Sequence, residues 1–422
     1  MIKGYKVMLK PNNKQRTKLF QFAGAARFAY NWALNKQMTA FREGEKLISN
    51  YDLRKEFTVL RHSEEFCWLE SVSNNVTKQA IKDCCDAYSK FFAKQKRKGY
   101  VKFSKKKLAH FARIGKKPTV YDMNGHPKFK SRKHSEPKFF QDDVKIRFSA
   151  THVKLESIAD SKRRNRQQAN WIRLAEHGRI PVDAKYASPR VTFDGENWWI
   201  SVAVEVPDEP VTGIYNDSLG IDLGIKKLAV LSDNIKVKNI NKTKKVRKLK
   251  KTQRRLQRQV SRKYQMNKKG DSYCKTCNIT KIEHRLLRIN HRLAGLRRNH
   301  LHLATTSIVR RKPSLICLED LNVQGMMANK HLAEAVQEQG FYEFRRQIEY
   351  KAARAGVPVV IADRYFSSSK TCCRCGHVKK DLKLSERTFV CPVCGNRIDR
   401  DLQAAINLRD YGERQMTQKS AS

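Results

Sequence analysis

Hydrophobic and polar positions alternate with a period of two at the start of the chain, where Tyr5, Val7 and Leu9 share one side. This predicts a short strand that Pro11 ends, with Asn12 or Asn13 capping a following helix. Leu19, Phe22, Ala23, Ala26, Tyr30 and Ala33 then recur at helical spacing, and helical patterning continues to about Lys96. Phe28, Tyr30 and Trp32 fall on that periodic helix and are read as core rather than base-stacking residues. From about Asp143 to Val206 the period returns to two. Val144, Ile146 and Phe148 alternate, and Val191–Phe193, the turn pair Asp194–Gly195 and Trp198–Val206 predict a hairpin. A small barrel is the expected closure.

The second half reads differently. Leu219–Ser232, LGIDLGIKKLAVLS, is an apolar run broken by Gly220 and Gly224, a buried strand turning back into another. It holds one carboxylate, Asp222, and an ionised acid in a core strand is expensive unless a cation or hydrogen bonds compensate it. A turn or capping aspartate is the plain alternative for this stretch alone. Ser314–Leu321 is a second such run, ending in Glu319 and Asp320, and Asp399–Asn407 places Asp401 at the start of a helical pattern. Three distant acids at the edges of apolar elements suit two divalent ions roughly 4 Å apart, one activating water and one stabilising a leaving oxygen. Phe341, Phe344, Ile348 and Ala352 predict another helix, and Val359–Ala362 another strand. Alternating strands and helices around carboxylates fit an RNase H-like α/β core.

Charge adds a partner. Of 422 residues, 88 are Lys or Arg against 40 Asp or Glu, a net charge of +48 that requires a polyanion, so nucleic acid is expected and a membrane surface is the lesser option. The charge concentrates in Lys236–Lys269, which has sixteen basic residues and no acid, with Val246, Leu249, Leu256 and Val260 at roughly helical intervals. Ile282, Leu286, Ile289, Leu293 and Leu296 form a partner seam, predicting an antiparallel hairpin with a phosphate-binding outer face that includes Arg254, Arg255 and Arg258. Between Ser89 and His134, basic residues interleave with Phe91, Phe92, Tyr100, Phe103, Phe111, Tyr121 and Phe129, and Asp122 is the only acid. That mixture suits single-stranded nucleic acid or RNA, and equally a solvated loop with aromatics tucked inward. The opening MIKGYKVMLKP lacks a signal-peptide stretch and no run approaches a membrane span, so a cytoplasmic protein is expected.

Eleven cysteines suit metal better than a disulfide framework. Cys372, Cys375, Cys391 and Cys394 form two CxxC pairs, each followed by glycine, the spacing of a structural zinc ribbon; Cys373 is a spectator, and Lys370 and Arg374 charge the ribbon's surface. Cys274 and Cys277 make a third pair inside the hairpin. His284 is nearby in sequence, a fourth ligand is not evident, and the pair is read as an unmetallated loop.

GIDLGIKKLAV, LICLEDLN, SSKTCCRCGHV, CPVCG and DRDLQAAINL resemble the split RuvC motifs and zinc ribbon of the TnpB family, relatives of compact type V CRISPR effectors. PNNKQRTKLFQFAGAARFAYNWALNKQ resembles its opening helical region. The resemblance implies an α+β multidomain chain: a wedge-like β-barrel (1–10 and 128–215) that grips an RNA scaffold, interrupted by a helical recognition lobe (11–127) that reads a short motif beside the target. It further implies a RuvC-like nuclease domain (216–368 and 396–412) carrying the inserted hairpin 236–303, a zinc ribbon (369–395) and a disordered tail (413–422). GYVKFSKKK and HPKFKSRK look like two versions of one family segment, making the residues between them an insertion. Asp222, Glu319 and Asp401 carry over as catalytic Mg²⁺ ligands, with Asp399 orienting Asp401; Gln403 departs from the family's asparagine. The implied function is RNA-guided, metal-dependent cleavage of double-stranded DNA, with guide RNA and target DNA as partners and a monomer or a dimer on one RNA. A nuclease-inactive RNA-guided repressor and a DNA transposase are the alternatives.

Overall fold

The opening alternation becomes β1 (Ile2–Lys10) in a computed structural model of the chain, which describes residues 1–98, 103, 105–117, 119, 122–123, 125–132, 135–156, 158, 170–207, 216–270, 272–383 and 386–421. Two compact units divide it, Met1–Asp208 and Glu209–Ser422.

In the first unit, Asn12 caps α1 (Asn13–Arg42). Its side chain accepts the Gln15 N–H at 2.9 Å while Gln15 Oε1 accepts the Asn12 N–H at 3.0 Å, satisfying two donors that the helix start leaves unpaired. The apolar face read from the sequence is buried, Leu19, Phe22 and Ala33 completely, and Phe28 and Trp32 pack against the same core. After α2 (Asn50–Arg61), α3 (Asn74–Lys98) and α4 (Lys105–Arg113) come β2 (Lys138–Phe140), β3 (Arg147–Phe148), β4 (His152–Lys154), β5 (Trp171–Leu174), β6 (Tyr186–Phe193) and β7 (Trp198–Glu205). They join β1 in one sheet of order β2-β6-β7-β1-β5-β4-β3, so the helices are threaded between two strands of that sheet. β2 and β3 each pair on one side only among the described residues, and the expected barrel is open by its hydrogen bonds. Asp142 explains the short β3: its Oδ1 accepts the N–H groups of Val144 and Lys145 at 2.9 and 3.0 Å, turning the chain and leaving Val144 exposed. The basic aromatic segment divides, with Phe91 and Phe111 buried and Phe129 exposed; Tyr100 and Tyr121 lie outside the described residues.

The second unit is built on β8 (Leu219–Leu223), β9 (Lys227–Leu231), β10 (Lys236–Lys238), β13 (Ile316–Glu319) and β14 (Val359–Ala362), in the order β10-β9-β8-β13-β14. The first three run antiparallel and β8, β13 and β14 parallel. Between β10 and β13 lies the basic hairpin of α5 (Lys244–Met266) and α6 (Cys277–Arg310), closed by β11 (Lys268–Lys269) and β12 (Ser272–Tyr273). Its bounds differ from 236–303: Lys236–Lys238 is the sheet's edge strand, and the end of α6 buries Leu301, Ile308 and Val309 in the unit's core. α7 (Val323–Ala328), α8 (Ala333–Gln339) and α9 (Phe341–Ala355) precede β14; β15 (Thr388–Val390), β16 (Arg397–Asp399) and α10 (Arg400–Ala421) complete the chain. Of the tail expected to be disordered over 413–422, the part up to Ala421 is instead the end of α10, and Ser422 lies outside the described residues. Gly412, within α10, serves a close approach: a Cβ there would lie 2.8 Å from Leu315 Cδ2 and 2.9 Å from Cys317 Cβ.

Candidate active site and metal centre

Parallel pairing aligns Cys317 with Gly220 and Leu318 with Ile221, so Asp222 and Glu319 occupy the next register position on adjacent strands. Side chains alternate along a strand, which places Gly220, Asp222, Cys317 and Glu319 on one face. α10 covers that face at backbone contact. A Cβ on Gly220 would sit 1.9 Å from Ala405 O and 2.4 Å from Arg409 N, so only glycine admits the helix. Asp401 lies one turn before Ala405 on the same side of α10, directed at the strand ends that carry Asp222 and Glu319.

The electrostatics follow from this convergence. Burial, then the neighbouring Glu319 and Asp401 carboxylates, push the Asp222 carboxyl well above the usual range, against the opposing pull of Arg400. Burial raises Glu319 to about 7, with the Leu223 N–H acting in the other direction. Asp401 has Arg387 at 3.8 Å. Asp222 and Glu319 therefore hold protons more readily than exposed carboxyls unless a metal replaces them. Among the described residues, the cysteine quartet is the single set of three or more possible ligands whose donor atoms all lie within 4.8 Å; the acid trio spreads wider.

The neighbouring acids are compensated. Asp320 receives Arg345 at 2.8 Å and Arg364 at 2.5 Å, which hold its carboxyl below the ordinary range. Asp399 caps α10 by accepting the Asp401 N–H at 2.9 Å and has Lys227 and Lys236 each at 3.5 Å; together these outweigh burial and keep it ionised. Gln403 is fully buried, and neither polar atom of its side chain has a hydrogen-bond partner among the described residues.

In the ribbon, Gly376 and Gly395 adopt φ of +73° and +68°, turning each CxxC so that their N–H groups reach Cys372 O at 2.9 Å and Cys391 O at 3.1 Å. Cys372 and Cys394 sulfurs lie 3.6 Å apart, as do those of Cys375 and Cys391. A tetrahedral ion with ~2.3 Å bonds to sulfur spaces its ligands about 3.8 Å apart, whereas a disulfide needs about 2 Å, so the quartet fits zinc. Against the effect of burial, the Cys375 and Arg374 N–H groups bring the Cys372 thiol down to about 6, favouring the thiolate a metal requires. Cys373 accepts from Asn396 Nδ2 at 3.6 Å, outside the quartet. Because β15 pairs with β16, and β16 leads into Asp399 and α10, the ribbon also fixes where Asp401 begins.

Arg254, Arg255 and Arg258 are exposed along one concave face of α5, and Lys370 and Arg374 are exposed on the ribbon. Part of the hairpin's charge is balanced from α8, a feature hidden in the sequence: Glu334 and Glu338 each meet Lys250 at 2.7 Å, Glu338 also meets Arg297 at 2.8 Å, and Glu334 lies 3.8 Å from Arg254. Sequence reasoning also missed the task of Gly220. The signal was present, since a glycine inside an apolar strand marks a close backbone approach.

Three family models match separate segments: a helix-turn-helix domain over 1–46, a probable transposase over 201–330 and a Cas12f1-like TNB domain over 341–408. In the structure the first comprises one strand and one long helix. The chain is 27% identical to a Streptomyces pristinaespiralis protein named "Putative RNA-guided DNA endonuclease" over 97% of this chain and 89% of the relative. It is 26% identical to Escherichia coli InsQ, given the same description, over 97% and 92% of the two chains. A mini-RNA-guided endonuclease structure, CRISPR-Cas_phi3, superposes with a TM-score of 0.48 at 10% identity over 97% of this chain and 92% of that one, too distant to add weight. No helix among the described residues is long and apolar enough to cross a membrane. The matches at both ends and across the central carboxylate strands agree with one another and with the resemblance to the TnpB family read from the sequence.

Proposed function

We propose that the protein is an RNA-guided DNA endonuclease that recognises a short target-adjacent motif and hydrolyses both DNA strands in one RuvC-like, Mg²⁺-dependent site. The observation that carries this reading is the convergence of Asp222, Glu319 and Asp401 under α10, with Asp222 and Glu319 buried, while Asp320 and Asp399 beside them are each paired with two cations. The strand order, three antiparallel strands followed by two parallel ones, supports an RNase H-like core. Divalent ions there supply water activation and neutralise the leaving oxygen. The three carboxylates would hold those ions, Asp399 orients the helix that presents Asp401, and Arg400 offsets charge on Asp222. Zinc in the cysteine quartet is structural, because four thiolates leave no open position. The net charge of +48, the α5 face with Arg254, Arg255 and Arg258, and the ribbon's Lys370 and Arg374 suit a guide RNA and target DNA.

The test is cleavage of a duplex matching a supplied guide. Wild type cuts only with guide RNA and Mg²⁺; Asp222→Ala loses cutting by about 100-fold or more while keeping guide-dependent binding. Undiminished cutting by that variant refutes the site, and guide-independent strand transfer would favour a transposase.

A further inference from the structure

The apex of the basic hairpin carries a feature the nuclease reading leaves unused. α5 takes the chain about 34 Å along its 23 residues. The β11–β12 ladder closes the turn, and Cys274 extends it by donating its N–H to Asn267 O at 3.0 Å. Thr276 caps α6 by accepting the Ile279 N–H at 3.4 Å, making Cys277 the helix's first residue. Both cysteines therefore stand on ordered backbone at the tip. Both are reduced and exposed, although free cysteine is among the most buried residue types, and neither thiol has a hydrogen-bond partner among the described residues. Their spacing matches that of both ribbon knuckles.

We infer that Cys274 and Cys277 form half of a zinc site, completed by the same pair from a second copy of this chain. A closed four-thiolate site needs four cysteines, and the described residues of the tip supply two. No third metal-binding side chain joins them among the described residues. Glu283, the first acid along α6, is engaged by Lys275 at 2.5 Å and by the Tyr264 hydroxyl at 2.8 Å. A pair at the end of a projecting hairpin can meet its twin about a two-fold axis, an arrangement closed to a pair in a cleft. Binding converts four thiols and Zn²⁺ into a four-thiolate complex of charge −2 with release of four protons. Lys268, Lys275 and Lys281 of each copy offset that charge. This assignment replaces the unmetallated loop expected from the sequence.

The test uses the full chain, purified reduced with zinc supplied, and reads metal content and native mass, neither of which depends on nuclease activity. Wild type should hold about 1.5 zinc ions per chain, one in the ribbon and half of a shared ion, as a dimer. Cys274→Ser with Cys277→Ser should give a monomer with about one zinc, and Cys274→His, which keeps a zinc ligand, should restore the dimer. Overturning results are a wild-type monomer holding about one or about two zinc ions, an internal Cys274–Cys277 disulfide, or a dimer that persists in the double serine variant.

Discussion

The carboxylate cleft and the cysteine ribbon are both built to hold metal, yet they are made in opposite ways. The ribbon's ligands lie within 23 residues of one another, on two turns that repeat one local design, and their sulfurs already stand at metal spacing. The cleft gathers acids from two parallel strands and one helix spread over most of the second unit. Its geometry depends on strand register and on one glycine. The Cys372 thiol is assisted by local N–H groups, whereas burial, joined at Asp222 by neighbouring carboxylates, keeps Asp222 and Glu319 poised to hold protons. A local site tolerates disturbance elsewhere in the fold, and a non-local site does not.

Gly220→Ala breaks this comparison most severely. A Cβ 1.9 Å from Ala405 O cannot be absorbed by a rotamer change, so a loss above about 4 kcal/mol, or failure of the second unit to fold, is expected in thermal melts. Gly24→Ala is the control. Nothing lies within 4 Å of its would-be Cβ in the middle of α1, so a gain of up to about 1 kcal/mol is expected. Next comes Cys391→Ser. It should lower zinc content by about one ion per chain and reduce cleavage through the β16–α10 junction that positions Asp401, while leaving the melting of the first unit unchanged. Zinc loss without any loss of cutting would separate the ribbon from the cleft. The smallest effect belongs to the hairpin: neutralising Arg254, Arg255 and Arg258 should reduce the slope of log affinity against log salt by about two, less than three full contacts because Glu334 lies near Arg254. An unchanged slope would make this face ordinary solvated surface.

The same contrast governs what the sequence disclosed. The ribbon was legible because CxxC–Gly is a short-range code, and α1 because its apolar period and the Asn12 cap lie within a few residues of one another. The acids of the cleft were legible as suspicious charges in apolar runs, and the family resemblance grouped them. What remained hidden was non-local: the face-to-face approach of Gly220 and α10, the lysines that meet Asp399, the acids of α8 beside the hairpin, and the open pairing of the first sheet. The tail up to Ala421 was misread because what holds its helix is also non-local: Gly412 lets α10 pack against Leu315 and Cys317.

The central claim is that Asp222, Glu319 and Asp401 jointly hold divalent ions, and Mn²⁺ binding to the guide-loaded protein, followed by electron paramagnetic resonance, tests it most directly. Glu319 titrates near 7 in the metal-free fold, so Mn²⁺ must displace its proton. Apparent affinity should rise about tenfold per pH unit below that value and level off above it, while the metal-free fold loses stability as pH rises through the same range. The account predicts about two magnetically coupled ions per chain in wild type and their loss in Asp222→Ala. Equal Mn²⁺ binding in both proteins, indifferent to pH, would contradict it.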